Sequence, residues 1–226
     1  MHVVRSRRAT FLRVMEKPIV HIVDDDEPTC VAMRRLITTE GLDARCYSSA
    51  SDFLERFEAD APGCIILDVR LPGLSGLDLQ ARLPKREESL PIIFLTGHAE
   101  VPDSVRAIQS GAVDFLVKPV DGKVLLSTVH RALAQNLEDR QARARRQEIL
   151  AKYERLTERE KEVFAHLVRG QLNKQVAADL SISERTIKQH RARIYSKLDT
   201  DSMAGLVLIA VDLGIGPAAK NRSKDR

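Results

Sequence analysis

From residue 18 to 119, short apolar runs alternate with longer mixed segments. The runs are Ile19-Val20-His21-Ile22-Val23, Ala44-Arg45-Cys46-Tyr47, Cys64-Ile65-Ile66-Leu67, Ile92-Ile93-Phe94-Leu95 and Val113-Asp114-Phe115-Leu116-Val117. The first, third and fourth are nearly continuous, the pattern of strands buried on both faces. Segments of helical length lie between them, among them 28–40, 50–59, 99–110 and 121–137. Repeated strand–helix alternation predicts an α/β layer architecture, a doubly wound parallel sheet with helices on both sides.

The pattern then changes. Neither Gly nor Pro occurs from Lys123 to Arg169, and the stretch from Gln135 to Tyr153 is rich in Ala, Gln, Glu and Arg. All four are fair helix formers, and the apolar stripe fades after Leu137, so an extended solvated helix is expected to join two domains. From 156 onward no strand signal remains. Thr157 and Glu160 fit a capping box ahead of the buried face Val163, Phe164 and Leu167, and Gly170 suits a left-handed helix end. A helix at about 173–180, a Ser181-Ile182-Ser183 turn and a longer basic helix at about 184–198 follow, with a last helix at about 202–212. Helix, tight turn and longer helix predict an all-α helix-turn-helix domain. The expected divisions are a basic extension at 1–17, an α/β domain at 18–138, a helical linker at 139–154, the all-α domain at 155–212 and a basic tail at 213–226.

Charge sharpens this division. The net +4 resolves into −7 over residues 18–138 and +3 over 139–152, with +2 each over 153–208 and 209–226 and +4 over 1–17. An acidic first half and a basic second half place any nucleic-acid contact in the second. Hydrophobic residues at 43% and charged residues at 30% describe a globular protein. No apolar run approaches the roughly 20 residues that span a bilayer. Residues 1–17 lack the apolar segment of a secretory signal. Cys30, Cys46 and Cys64 are odd in number and show no CxxC spacing, which suits three small buried hydrophobes in a reducing cytoplasm.

Candidate chemistry lies at the strand ends. Asp24-Asp25, Asp68, Thr96 and Lys118 each fall at or within two residues of the end of an expected strand, where ligands of open α/β sheets bind. Clustered carboxylates raise one another's pKa unless a cation neutralises them, and a hard divalent ion such as Mg²⁺ does so with oxygen ligands. Asp68 then reads as an acyl-phosphate-forming nucleophile, with the Lys118 ammonium and the Thr96 hydroxyl directed at phosphoryl oxygens. Singly, each piece has a bland alternative. An Asp run after a strand also favours the next helix's N-terminus, and Asp68 could be a turn residue.

The segments HIVDDDEP, LDVRLPGLSG, FLTGHAEVP and GAVDFLVKP occur in order, and through them residues 19–138 resemble the receiver domain of two-component response regulators, particularly the FixJ/NarL type. The resemblance implies a flavodoxin-like (βα)5 fold and phosphoryl transfer from a sensor histidine kinase to Asp68. It implies Mg²⁺ held by Asp25, Asp68 and the backbone carbonyl of Arg70, with Asp24 acting through water. It matches Lys118-Pro119 to a cis peptide position, and Thr96 and Phe115 to a switch pair coupled to a dimerisation surface at about 99–118. Arg70 and His98, each two residues beyond Asp68 and Thr96, are expected to govern the lifetime of phospho-Asp more than its formation. His21, within a strand, is expected to be structural.

Residues 156–208 resemble a LuxR-type helix-turn-helix, through LTEREKEVFAHLVRG, NKQVAADLSIS and RTIKQHRARIYSKL. The helix entered at Ser183 would lie in the major groove of double-stranded promoter DNA. Arg185, Lys188, Gln189 and Ala192 share its outer face, with Lys188 and Gln189 expected to read bases. Asn173, Lys174, Thr186, His190 and Arg193 are expected at phosphates. Gln189 replaces a commonly small apolar residue, and Asp199 and Asp201 stand where Gly and a basic residue are frequent. Met203, Leu206, Val207 and Ile209 are expected to form a dimer-contact stripe on the last helix.

Together these imply a non-enzymatic, cytoplasmic, phosphorylation-activated transcriptional regulator that dimerises on promoter DNA, with RNA polymerase as a further partner and no membrane association. Two alternatives are a regulator indifferent to phosphorylation and a Mg²⁺-dependent aspartyl phosphohydrolase. The second needs a general-acid Asp at position 70, where Arg stands.

Overall fold

A computed structural model describes residues 17–57, 61–83, 90–97 and 100–215. His98 and most of the terminal segments 1–17 and 213–226 lie outside them. The chain divides into two compact units, Met1–Gln141 and Ala142–Arg226.

The first unit alternates β1 (Ile19–Val23), α1 (Glu27–Thr39), β2 (Asp43–Tyr47), α2 (Ala50–Arg56), β3 (Gly63–Leu67), α3 (Gly76–Arg82), β4 (Ile92–Thr96), α4 (Val101–Gln109) and β5 (Asp114–Val117), and ends in α5 (Gly122–Tyr153). The strands form one parallel sheet in the order β2-β1-β3-β4-β5, the flavodoxin-like doubly wound arrangement. Every residue of β3 and β4 is buried, as continuous apolar runs require of central strands. Strand side chains alternate between faces. Val23, Ile65, Leu67 and Phe94 pack on one side with Phe53, Leu77, Leu79 and Ala107 of α2, α3 and α4. Val20, Ile22, Cys64, Ile66 and Ile93 pack on the other with Cys30, Met33 and Ile37 of α1 and Leu125, Val129 and Ala132 of α5.

The helix starts follow the local chemistry. Asp26 caps α1 through the Thr29 amide, with Pro28 in the first turn, and Ser49 and Ser75 cap α2 and α3. The α3 helix is absent from the segments expected from the sequence. At seven residues, with Leu77 and Leu79 its only large buried side chains, it is too short to show a helical period. The expected linker is continuous helix, and the boundary between the two units falls within α5. Asn136 is buried on α5 and accepts a hydrogen bond from the Gly63 amide (3.1 Å). Cys30 and Cys64 are buried and Cys46 is half-buried, all as free thiols. Burial pushes the Cys64 thiol up to about 12, so it packs as a small apolar group. No helix among the described residues is long and apolar enough to cross a membrane.

The second unit holds α6 (Glu158–Val168), α7 (Asn173–Asp179), α8 (Glu184–Leu198) and α9 (Met203–Asp212) around Val163, Phe164, Leu167, Val176, Ile187, Ile194 and Leu206. Thr157 and Glu160 complete the expected capping box. Gly170 (φ 79°) and Asp199 (φ 55°) both adopt the left-handed conformation at helix ends. The stripe expected on the last helix is corrected. Leu206 is fully buried in the domain core, and Met203 and Ile209 pack against it. The outward row is Ala204, Val207, Leu208 and Val211, because Leu206 follows the inward side of the helical repeat and takes its neighbours at three residues' spacing with it.

Candidate functional site

The parallel register builds the site. Val23 lies opposite Leu67, so Asp24 and Asp68 leave adjacent strands side by side. The Asp68 amide donates to the Val23 carbonyl (2.9 Å), the Asp24 amide to Tyr47 (3.0 Å) and the Lys118 amide to Thr96 (2.8 Å), so the three loops share one sheet edge. This edge is where the crossovers from β1 and β3 depart in opposite directions along the sheet, the position at which doubly wound folds bind ligands.

Lys118 Nζ donates to Asp24 Oδ2 (2.6 Å) and to Asp68 Oδ2 (2.8 Å). Carboxylate oxygens of Asp24, Asp25 and Asp68 lie within 4.8 Å of one another. Asp24 and Asp68 are buried, whereas Asp25 is exposed. Burial raises the Asp24 pKa above the ordinary carboxylate range, although the hydrogen bond from Lys118 pulls against it. Burial also acts to lower Lys118, but its bonds to the two carboxylates prevail and its pKa is raised. The ammonium therefore stays charged between two acids. The Arg70 amide donates to Asp68 Oδ1 (3.1 Å), and its guanidinium reaches out to Glu100 (3.4 Å). Thr96 is almost wholly buried at the last position of β4. Phe115 on β5 is half-buried, its ring centroid 5.9 Å from that of Phe94. Thr96 pairs with Val117, so Phe115 lies on the neighbouring strand, two residues back from that partner. Lys118-Pro119 is cis.

In the second unit, Arg185, Lys188, Gln189, Ala192 and Arg193 are exposed on α8, opposite buried Ile187, Ile194 and Leu198. Ser183 caps α8 through the Thr186 amide (3.1 Å), and the two hydroxyls lie 2.8 Å apart. Lys174 is exposed on α7. Asn173 is less free than the sequence implies, because Arg191 Nη1 donates to its Oδ1 (2.8 Å). His190 is half-buried, and its Nδ1 has no partner among the described residues. The Arg191 guanidinium lies 5.7 Å from the centre of the Tyr195 ring, so this arginine, unremarked in the sequence, braces α7 against α8. The spacing of Arg191 and Tyr195 by four residues was its only local signal. Lys197 makes a second cross-helix tie, to buried Glu160 (2.6 Å).

The profile of the response regulator receiver domain family matches residues 20–130, and that of the luxR family of bacterial regulatory proteins matches 154–210. Response regulator protein TodT of Pseudomonas putida is 42% identical over 191 residues, covering 84% of each chain. Transcriptional regulatory protein FixJ of Rhizobium meliloti is 35% identical over 199 residues, 88% of this chain and 98% of its own. The chain belongs to the response regulators with a LuxR-type domain. A solved structure of response regulator StyR superposes on this regulator with a TM-score of 0.76 at 39% identity, covering 86% and 98% of the two chains. A receiver joined to a LuxR-type DNA-binding domain makes this response regulator a phosphorylation-dependent transcriptional regulator. Its acidic pocket at the sheet edge is the receiver's.

Proposed function

We propose that Asp68 is the phosphoacceptor of this regulator and that its phosphorylation drives dimerisation and promoter binding. The observation that carries this reading is Lys118 bridging Asp24 and Asp68 at the carboxyl ends of the strands. An Asp68 oxygen attacks phosphorus of a sensor kinase's phosphohistidine. A P–O bond forms as the P–N bond breaks, and the departing imidazole keeps that electron pair and takes up a proton. Lys118 exchanges its bond to the free carboxylate for one to a phosphoryl oxygen, and the Thr96 hydroxyl donates to another.

Three clustered carboxylates are the hard oxygen donor set that suits Mg²⁺. Asp25, Asp68 and the Arg70 carbonyl would hold it, with Asp24 acting through water. Bound there, Mg²⁺ offsets charge on the phosphoryl oxygens. Capture of the Thr96 hydroxyl lets Phe115 turn inward, biasing the α4–β5 face toward a homodimer. Moving such an equilibrium from mostly off to mostly on takes about 5 kcal/mol of differential stabilisation. Arg70, tethered outward to Glu100, stands at the mouth of the pocket. Arg70→Ala is expected to change the rate of phospho-Asp loss while leaving its formation rate near wild type, followed by phosphoprotein decay after removal of donor. Equal decay rates would refute that role.

Incubation with acetyl phosphate and Mg²⁺ tests the central claim. Wild type is expected to gain one phosphoryl group by intact mass and to shift to dimer by light scattering, whereas Asp68→Asn does neither. Identical assembly of both proteins would favour a phosphorylation-independent regulator.

In the second unit, Lys188 and Gln189 read base edges in the major groove, and Lys174, Arg185, Thr186, His190 and Arg193 contact phosphates. Asn173 contacts phosphate through its amide nitrogen. Cytoplasmic promoter DNA and RNA polymerase are the resulting partners. Lys188→Ala should remove about 2 kcal/mol of discrimination at one base pair, read by competition binding with single-base operator variants. Uniform weakening across all variants would reassign Lys188 to phosphate.

A further inference from the structure

Gly76 opens α3 and brings the chain back past Asp68. Its amide donates to the Val69 carbonyl (3.0 Å). A Cβ at this position would overlap the carbonyl oxygen of Asp68, and would lie 3.0 Å from the Asp68 carbonyl carbon and 3.1 Å from Leu67 Cγ. The obstacle is backbone at the end of a fully buried strand, and the Asp68 amide is already bound to β1. Gly73 in the same loop has a left-handed φ of 78° and open space around it, whereas Gly76 has no left-handed φ. The demand at Gly76 is therefore for close backbone approach.

We propose that Gly76 is a positioning residue for the phosphoacceptor, docking the start of α3 directly on the Asp68 peptide. The proposal rests on Asp68 as acceptor. Tight docking closes the loop in which the Arg70 amide donates to Asp68 Oδ1 and the Asp68 carboxylate meets Lys118. Any side chain at position 76 forces apart the Asp68 carbonyl and the helix start. The carboxylate then turns from Lys118, and the cation site it shares with Asp24 and Asp25 loosens.

Gly63 supplies a control. A Cβ there would likewise overlap a backbone carbonyl oxygen, that of Ile19, but at the amino end of β3, away from the acidic pocket. Mg²⁺ binding by calorimetry and phosphorylation by acetyl phosphate are measured on wild type, Gly76→Ala, Gly63→Ala and Asp68→Asn, each corrected for the folded fraction. Gly76→Ala is expected to weaken Mg²⁺ binding and slow phosphorylation by about tenfold or more. Gly63→Ala should lower the Tm yet keep both values near wild type. Wild-type values in Gly76→Ala, or equal losses in both glycine variants, overturn the positioning role. A wild type that takes no phosphoryl group, or an Asp68→Asn that takes as much, overturns the underlying acceptor assignment instead. Should Gly76→Ala fail to fold, Ser75→Ala carries the test, since it removes the hydroxyl cap on the Asp78 amide at the same helix start without a collision. Loss of both Mg²⁺ affinity and rate then supports the proposal, and unchanged values refute it.

Discussion

Replacing Lys118 by Met lowers the stability of the metal-free regulator by about 3 kcal/mol, and added Mg²⁺ recovers part of the loss. Asp24 and Asp68 have side chains only 1% and 10% exposed, and Lys118 is the cation that touches both. Removing one member of a buried ion pair leaves its partner desolvated and uncompensated, typically at a cost of about 3–5 kcal/mol. The lower end applies here because the lysine side chain is 22% exposed, so water already screens part of the interaction. Methionine keeps most of the stem's packing, which confines the change to charge. Two consequences separate this account from simple loss of volume. Asp24→Asn in the Lys118→Met background should restore stability, because it removes one of the two repelling charges. A double-mutant cycle from urea unfolding in chelator then reports a strong coupling between the two positions. Mg²⁺ should stabilise Lys118→Met more than wild type, since the dication takes over the neutralising role. Additive effects, or a Lys118→Met variant as stable as wild type without metal, would mean that these groups do not form one charge cluster. The same variant should fail to dimerise with acetyl phosphate, because nothing then draws the phosphoryl oxygens toward β5.

The acidic pocket was legible because its residues are tied to the element pattern itself. Asp24, Asp68 and Lys118 follow three apolar runs directly, and once those runs pair in parallel their ends must share one edge. Features that depend on long-range packing left little trace. The α3 helix is too short for a periodic signal, and Gly76 reads as one more loop glycine until the fold brings it against Asp68. Asn136 looks like a solvated linker residue, yet it is buried and holds the Gly63 amide from 73 positions away. The last helix misled for a related reason. Apolar residues occupy nearly all its sides, so spacing alone could not separate the row that fills the core from the row left outside. On α8 the exposed face was correct, because charged and apolar positions there alternate with a clear helical period. The tether of Asn173 to Arg191 was not visible, since it joins two helices of the domain.

His21 was expected to be structural, and its surroundings make the stability of the receiver fall in mild acid. It lies on β1, 2% exposed, with Nδ1 bonded to the Tyr47 hydroxyl (2.9 Å). Its ring stacks on Tyr47 and meets Phe53 and Phe57 edge-on, at centroid separations of 5.7, 5.7 and 5.5 Å. No described residue pairs with Nε2. Burial in this cage, with the positive charge of Arg45 adding to it, lowers the His21 pKa from 6.5 to about 4. The Arg56 guanidinium lies 5.0 Å from the centre of the Tyr47 ring and is itself paired with Asp52, and no carboxylate among the described residues pairs with the imidazole. The folded state therefore favours the neutral ring, while the unfolded chain binds a proton at pH 6.5. The stability contribution is complete above that value, declines as pH falls and levels off below about 4. Its full size is about 3 kcal/mol. His21→Leu should lower stability at pH 7.5 by about 1 kcal/mol through the lost hydrogen bond to Tyr47, yet lose the slope that His21 contributes between pH 6.5 and 4.5. Urea unfolding of the two proteins across that range isolates the difference, because every other titrating group is common to both. Parallel stability curves would show that the imidazole accepts its proton in the folded state, and that the cage admits water that the packing of three aromatic rings excludes.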